Sequence, residues 1–136
     1  MAKSIIQEKS FLFALDIVQL FKQLQAEREY VLSKQLLRSG TSIGANVEEA
    51  LAGQSRRDFL AKMSVASKEA RETRYWLILL QKSSLTNIEL NPALKSIEEL
   101  IRILTSIVKT TAENSADQRL ETQNSKLRTE SASRLH

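Results

Sequence analysis

Gly40 and Gly44 stand four residues apart inside a stretch, 32–52, whose apolar residues keep helical register on both sides of them. Each glycine costs a helix about 1 kcal/mol relative to alanine. A helix that carries two of them holds only if packing compensates. Close approach of a neighbouring backbone does so, because no side chain stands in the way. The alternative is a loop at 39–42 between two shorter helices; the unbroken apolar period favours one helix. Other breakers are scarce, with 3 Gly and 1 Pro in 136 residues, and no run alternates β-branched with polar positions. The expected fold is therefore all-α.

Along the chain, four amphipathic segments emerge. The first covers 10–25, with Phe13, Ile17, Leu20 or Phe21, and Leu24 on one face. Ser10 caps it, or Ser4 caps an earlier start. The second opens at Ser33 as its cap, and Leu32, Leu36, Ile43, Val47 and Ala50 form its core face. Gly53 ends it. Ser55 caps the third, with Asp58 three residues on, near the positive end of the helix dipole. That helix runs to about Lys82 and turns Phe59, Met63, Ala66, Ala70 and Leu77 inward. Ala66 and Ala70 are small and four apart, so they are expected to receive the Gly40/Gly44 face. Asn91 caps the fourth helix, Pro92 takes its first position, and it ends near Asn114. Its buried face holds Leu94, Ile97, Leu100 or Ile101, Leu104, and Ile107 or Val108. Short links between four such helices predict one domain, 1–114, built as an up-down-up-down antiparallel four-helix bundle. Residues 115–136 form a polar C-terminal tail whose only large apolar residues are Leu120, Leu127 and Leu135. Three leucines do not offset the entropy of ordering it, so the tail is expected to be disordered or to fold on a partner.

Composition excludes several functions. There are 0 Cys, and the single histidine is the last residue, His136. Thiolate and histidine metal sites and histidine triads are therefore not expected, and no glycine loop of the phosphate-cradling type occurs. Glu49, Glu69 and Glu72 are carboxylates suited to a hard cation, or more simply to pairing with Arg38. No metal, cofactor or enzymatic activity is expected. The start Met1-Ala-Lys-Ser4 lacks the apolar run of a signal peptide, and no apolar run reaches the roughly 20 residues needed to cross a bilayer. No membrane association and a cytoplasmic location are expected.

Three surface patterns remain. Gln35, Arg38, Ser42, Asn46 and Glu49 share an arc of about 80° on the second helix, beside its core face. The structural reading is a hydrogen-bond network that fixes helix register or a subunit contact; the functional one is a binding groove. Buried polar networks specify packing, which favours the first. The third helix holds the charge. The chain has 20 Lys and Arg against 16 Asp and Glu, a net +4. Residues 55–82 hold Arg56, Arg57, Lys62, Lys68, Arg71, Arg74 and Lys82 against Asp58, Glu69 and Glu72, the same excess. Arg57, Lys68, Arg71 and Lys82 fall within about 60° of one another, with Arg56 and Arg74 at the edges and Tyr75 on the same stripe. Such a stripe can follow a phosphate backbone, with the ring available for stacking. The plainer reading is a solvated face with a Lys68–Glu72 pair. Finally, Val65, Trp76 and Leu79 make a second apolar ridge, which predicts self-association.

These residues are familiar as a set. QLLRSGTSIGANVEEA followed by SVASKEARETRYWLILL resembles the four-helix-bundle family named for proteins encoded in intervening sequences of bacterial 23S ribosomal RNA genes. The accessory variability proteins of diversity-generating retroelements look like relatives. The likeness covers about 10–114 and rests on Gln35, Arg38, Ser39, Ser42, Ile43, Asn46 and Glu49, then Ser67, Glu69, Glu72 and Trp76. It implies a bundle that assembles into a homopentamer with a basic surface suited to RNA or other nucleic acid. For the retroelement relatives it implies docking to a reverse transcriptase. It implies no enzymatic activity. The modest net charge and the polar tail depart from the family pattern.

Overall fold

The computed structural model describes residues 4–134. The expectations placed on Met1-Ala-Lys, Leu135 and His136 lie outside them. Four helices follow one another: α1 (Ile5–Ala26), α2 (Leu32–Leu51), α3 (Arg56–Lys82) and α4 (Asn91–Arg134). No strand occurs among the described residues. Each helix packs on the next and α4 closes against α1, so α1 and α3 face each other across a diagonal, as do α2 and α4. The cross-links give the directions. Gln25 reaches Ser33 near one end of α1–α2 and Gln7 reaches Glu48 near the other. Arg56, Arg71, Arg74 and Gln81 of α3 meet Gln118, Thr105, Glu98 and Asn91 of α4 in reverse order. The molecule is the expected up-down-up-down antiparallel four-helix bundle.

Ile6, Phe13, Ile17, Leu20 and Leu24 of α1 meet Leu36, Ile43, Val47 and Ala50 of α2 in the core. Met63, Ala66, Ala70, Leu77 and Leu80 of α3 and Ile97, Leu100 and Leu104 of α4 complete it. The helical period in the sequence placed nearly all of these. The helix ends followed it less well. Helix α1 takes the earlier of its two starts: Ser4 is its N-cap residue, and Ser10 is buried mid-helix. Ser33 is not the cap of α2. It lies buried inside the helix, accepts a hydrogen bond from Gln25 and donates one to the Glu29 carbonyl at 2.7 Å. The N-cap residue is Val31, and the capping side chain is that of Glu29, whose carboxylate accepts from the backbone N–H groups of Val31, Leu32 and Ser33 at 3.2, 2.9 and 2.6 Å. Desolvation works against that charge. The three backbone donors and the Ser33 hydroxyl outweigh it and hold the Glu29 carboxyl below the usual carboxylate range.

Helix α2 runs unbroken through both glycines. Their partner is α1, not α3. A Cβ on Gly40 would lie 3.0 Å from both Cγ atoms of Ile17, and one on Gly44 would lie 3.4 Å from the Ser10 carbonyl oxygen. Ala66 and Ala70 are buried but do not receive this face. Helix α2 sits between two neighbours, and its glycine edge falls on the α1 flank. Its other flank meets α3 through Ser39, whose hydroxyl accepts from Thr73 at 2.9 Å. Gly53 follows α2 with a negative φ, so its role is room: a Cβ there would stand 3.1 Å from the Ala50 carbonyl oxygen. Ser55 caps α3 as expected, accepting from the Asp58 N–H at 3.0 Å.

Asn91 is the first residue of α4 rather than its cap. Its side chain accepts from Gln81 of α3, and Pro92 falls at the second position. The first-turn N–H groups of a helix lack carbonyl partners, so the proline costs nothing there. The expected end at Asn114 is not a helix end, and residues of the polar tail carry α4 onward to Arg134. After Pro92 the chain has no glycine or proline, and Ala, Leu, Glu, Gln, Lys and Arg propagate a helix well. Described side chains from Ala116 to Ser131 are all exposed.

Two stability outcomes follow. Gly44→Ala is expected to raise stability by up to about 1 kcal/mol, because its Cβ meets Ser10 at ordinary contact distance. Gly40→Ala is expected to lose about 1 kcal/mol net, since buried, χ1-stiff Ile17 has to move, and Ile17→Val in the same chain should recover part of it. Urea denaturation of the three variants checks both. Glu29→Gln should cost about 1 kcal/mol at neutral pH. The folded pKa of Glu29 is depressed, so its contribution is present above the unfolded value and lost as pH falls through the folded one. Melts across an acid series should therefore bring variant and parent together.

Candidate nucleic-acid interface

The outer face of α3 is set by its core face. Met63, Ala66, Ala70 and Leu77 point inward, and at 100° per residue Arg57, Lys68, Tyr75 and Lys82 fall on the opposite side. All six basic residues of the predicted stripe are exposed. They divide into two groups. Arg56 donates to Gln118 at 2.9 Å, Arg71 donates to Thr105 at 3.1 Å, and Arg74 pairs with Glu98 at 3.5 Å. These three border α4 and partly serve the α3–α4 contact. Arg57, Lys68 and Lys82 have no ion pair or side-chain hydrogen bond among the described residues. The expected Lys68–Glu72 pair does not form, because Arg38 of α2 takes Glu72 together with Glu69. At the Lys82 end, Arg71, Arg74, Tyr75, Ile78, Leu79 and Lys82 line an open groove of about 370 Å³. Tyr75 is 59% exposed there and meets Trp76 edge-on, with centroids 5.1 Å apart.

The polar row of α2 lies on the flank towards α3 and is not one continuous network. Arg38 bridges to Glu69 and Glu72, and Glu49 pairs with Lys62 at 2.7 Å. Between them, Asn46 donates to the Ser42 carbonyl and Ser42 to the Ser39 carbonyl, both within α2. Gln35 is exposed and makes no side-chain hydrogen bond among the described residues. Arg38 and Glu49 are exposed as well. The buried polar contact between the two helices is Ser39–Thr73, one position away from the row. Its signal in the sequence was a serine on the apolar side of α2 and a threonine among α3 core positions.

Of the second ridge, Val65 is exposed, while Trp76 and Leu79 are half-buried. The Trp76 indole Nε1 is buried without a partner among the described residues. A further apolar surface went unread in the sequence. Phe11, Leu12 and Leu15 of α1 are 60, 51 and 49% exposed, on the side turned away from Phe13 and Ile17. Helical spacing alone would have separated them from the core row. Among the described residues no helix is long and apolar enough to cross a membrane, and no three acidic or histidine side chains group as metal ligands.

A family model described as 23S rRNA-intervening sequence protein matches residues 2–106. The chain belongs to this family. A crystal structure from Bacteroides thetaiotaomicron, described as a protein with unknown function from the S23 ribosomal protein family, is 46% identical to it. The two superpose with a TM-score of 0.73, over 77% of this chain and 96% of that one. No curated protein matches. The intervening-sequence family model thus covers the bundle and stops before the overhanging part of α4.

The Ser39–Thr73 contact should show as coupling. Ser39→Ala and Thr73→Val are each expected to destabilise, and the double-mutant cycle should return about 1 kcal/mol of interaction.

Proposed function

We propose that this protein is a non-enzymatic, self-associating bundle that binds RNA or another nucleic acid along the outer face of α3. The observation that carries the reading is the groove at Tyr75. Arg71, Arg74 and Lys82 surround an exposed aromatic ring, and Lys68 and Arg57 continue the line of positive charge without acidic partners among the described residues. Cations on one helix face neutralise successive phosphates, and a ring among them offers a stacking platform without base reading. The family membership supports the same reading, and the resemblance to retroelement relatives supports a homopentamer. Two apolar surfaces, the Val65/Trp76/Leu79 ridge on α3 and the Phe11/Leu12/Leu15 face on α1, lie on diagonal helices. Surfaces so placed favour head-to-tail contacts, which give a ring where the rotation between subunits closes. The α1 face also favours a second reading, a protein–protein adaptor such as an accessory subunit of a reverse transcriptase.

The test is fluorescence anisotropy with labelled RNA. Replacing Arg57, Lys68, Arg71 and Lys82 together by Gln is expected to weaken binding and to lower the log–log salt slope by about 3. An unchanged slope sinks the α3 reading. Light scattering and the absorbance ratio of the protein as isolated report assembly and bound nucleic acid together. Co-purification of a protein in place of nucleic acid would favour the adaptor.

A further inference from the structure

The α1–α4 register leaves one end of the bundle open. Lys9 pairs with Glu99, so antiparallel α1 begins roughly level with residue 103 of α4. Beyond that level α4 keeps only α3 beside it, as far as the Arg56–Gln118 hydrogen bond. Past Gln118 it overhangs the start of α3. The corner between them is a cleft of about 1000 Å³. Its walls are Arg56, Arg57 and Leu60 from α3 and Ser115, Gln118, Arg119, Thr122, Gln123 and Lys126 from α4. Four of these are cationic, none is acidic, and most of the others are amides and hydroxyls that can hydrogen-bond to phosphate.

We propose that this corner is a further phosphate-backbone site, in which the α4 overhang and the first turn of α3 hold a strand of nucleic acid. The proposal rests on the nucleic-acid reading above and extends it to α4 residues which that reading does not use. Arg57, Arg119 and Lys126 have no ion pair among the described residues, and Arg119 bonds only to the Ser115 carbonyl of its own helix. Uncompensated charge of one sign along two walls concentrates field in the space between them. The α3 N-terminus adds the positive end of its dipole at the same corner. The acidic residues of the overhang do not line the cleft; Glu121 and Glu130 border the next groove along α4, which shares Thr122 and Lys126 with it. Arg119 and Lys126 are two turns apart, about 10 Å along α4, which suits contact with more than one phosphate of an extended strand. Arg57 belongs to both the corner and the outer stripe of α3, so the two surfaces are continuous. The family match ends at residue 106, so the α4 wall lies outside the part of the chain that the family model covers.

The experiment compares three full-length proteins with a labelled single-stranded RNA by anisotropy over a salt series. They are the parent, Arg119→Gln/Lys126→Gln, and the α3 quadruple variant above. The two overhang substitutions touch no core residue, and circular dichroism should show the bundle unchanged. Weaker binding by roughly tenfold, with a salt slope reduced by about 1.4, supports the site. Unchanged affinity and slope, while the α3 variant loses both, overturns the corner and leaves the α3 reading standing. Absence of binding by the parent overturns both. Complete displacement of the RNA by inorganic phosphate at matched charge would overturn a strand site in favour of a small anion.

Discussion

The bundle depends on how closely α2 approaches α1. At Gly40 the missing Cβ is the space that both Ile17 Cγ atoms occupy, and Ile17 is itself fully buried. A helix pays about 1 kcal/mol for each glycine, and the recovered contact between close-packed surfaces offsets that cost. The approach on the α1 flank also sets the other flank. With its glycine edge against α1, α2 turns Ser39 to Thr73 and Arg38 to Glu69 and Glu72 on α3. One steric fact thereby fixes the order of hydrophobic, polar and ionic contacts around α2.

The same rotation decides which charges are free. Arg38 claims the two acidic residues that would otherwise sit beside Lys68, and Glu49 claims Lys62. Glu98 of α4 holds Arg74. After these pairings Arg57, Lys68 and Lys82 remain without a counter-charge among the described residues. Exposed ion pairs contribute little to stability. Their larger effect here is to set where uncompensated positive potential remains, along the outer face of α3 and at the α4 corner.

Two kinds of surface are left for partners. The basic face of α3 continues past the start of that helix into the overhang of α4. The apolar face of α1 lies across the bundle from it. The second apolar ridge does not lie apart in this way: Leu79 lines the same groove as Tyr75 and Lys82, so any contact made through Val65, Trp76 and Leu79 would border the basic face of α3.

The all-α class, the four segments and most core positions were legible because a helical period is a local property of the chain. Phe13, Ile17, Ile43, Val47, Met63, Leu77, Ile97 and Leu104 repeat at spacings that no partner has to explain. The unbroken α2 was legible for the same reason, and so were the Ser55 cap and the basic line on α3. What the sequence could not contain was the angle at which each helix meets its neighbours. That angle sent the glycines to Ile17 instead of Ala66 and Ala70, and gave Glu72 to Arg38 instead of Lys68. The turn before α2, for its part, brought the Glu29 carboxylate onto the first N–H groups of that helix. Each of these choices is a contact between residues distant in the chain or across a turn, settled by which flank faces which. The α4 overhang belongs with them. By sequence, residues 115–136 are a polar tail, disordered or folding on a partner; α4 instead runs on to Arg134, and its stagger against α1 turns the basic side of that segment into the wall of a cleft.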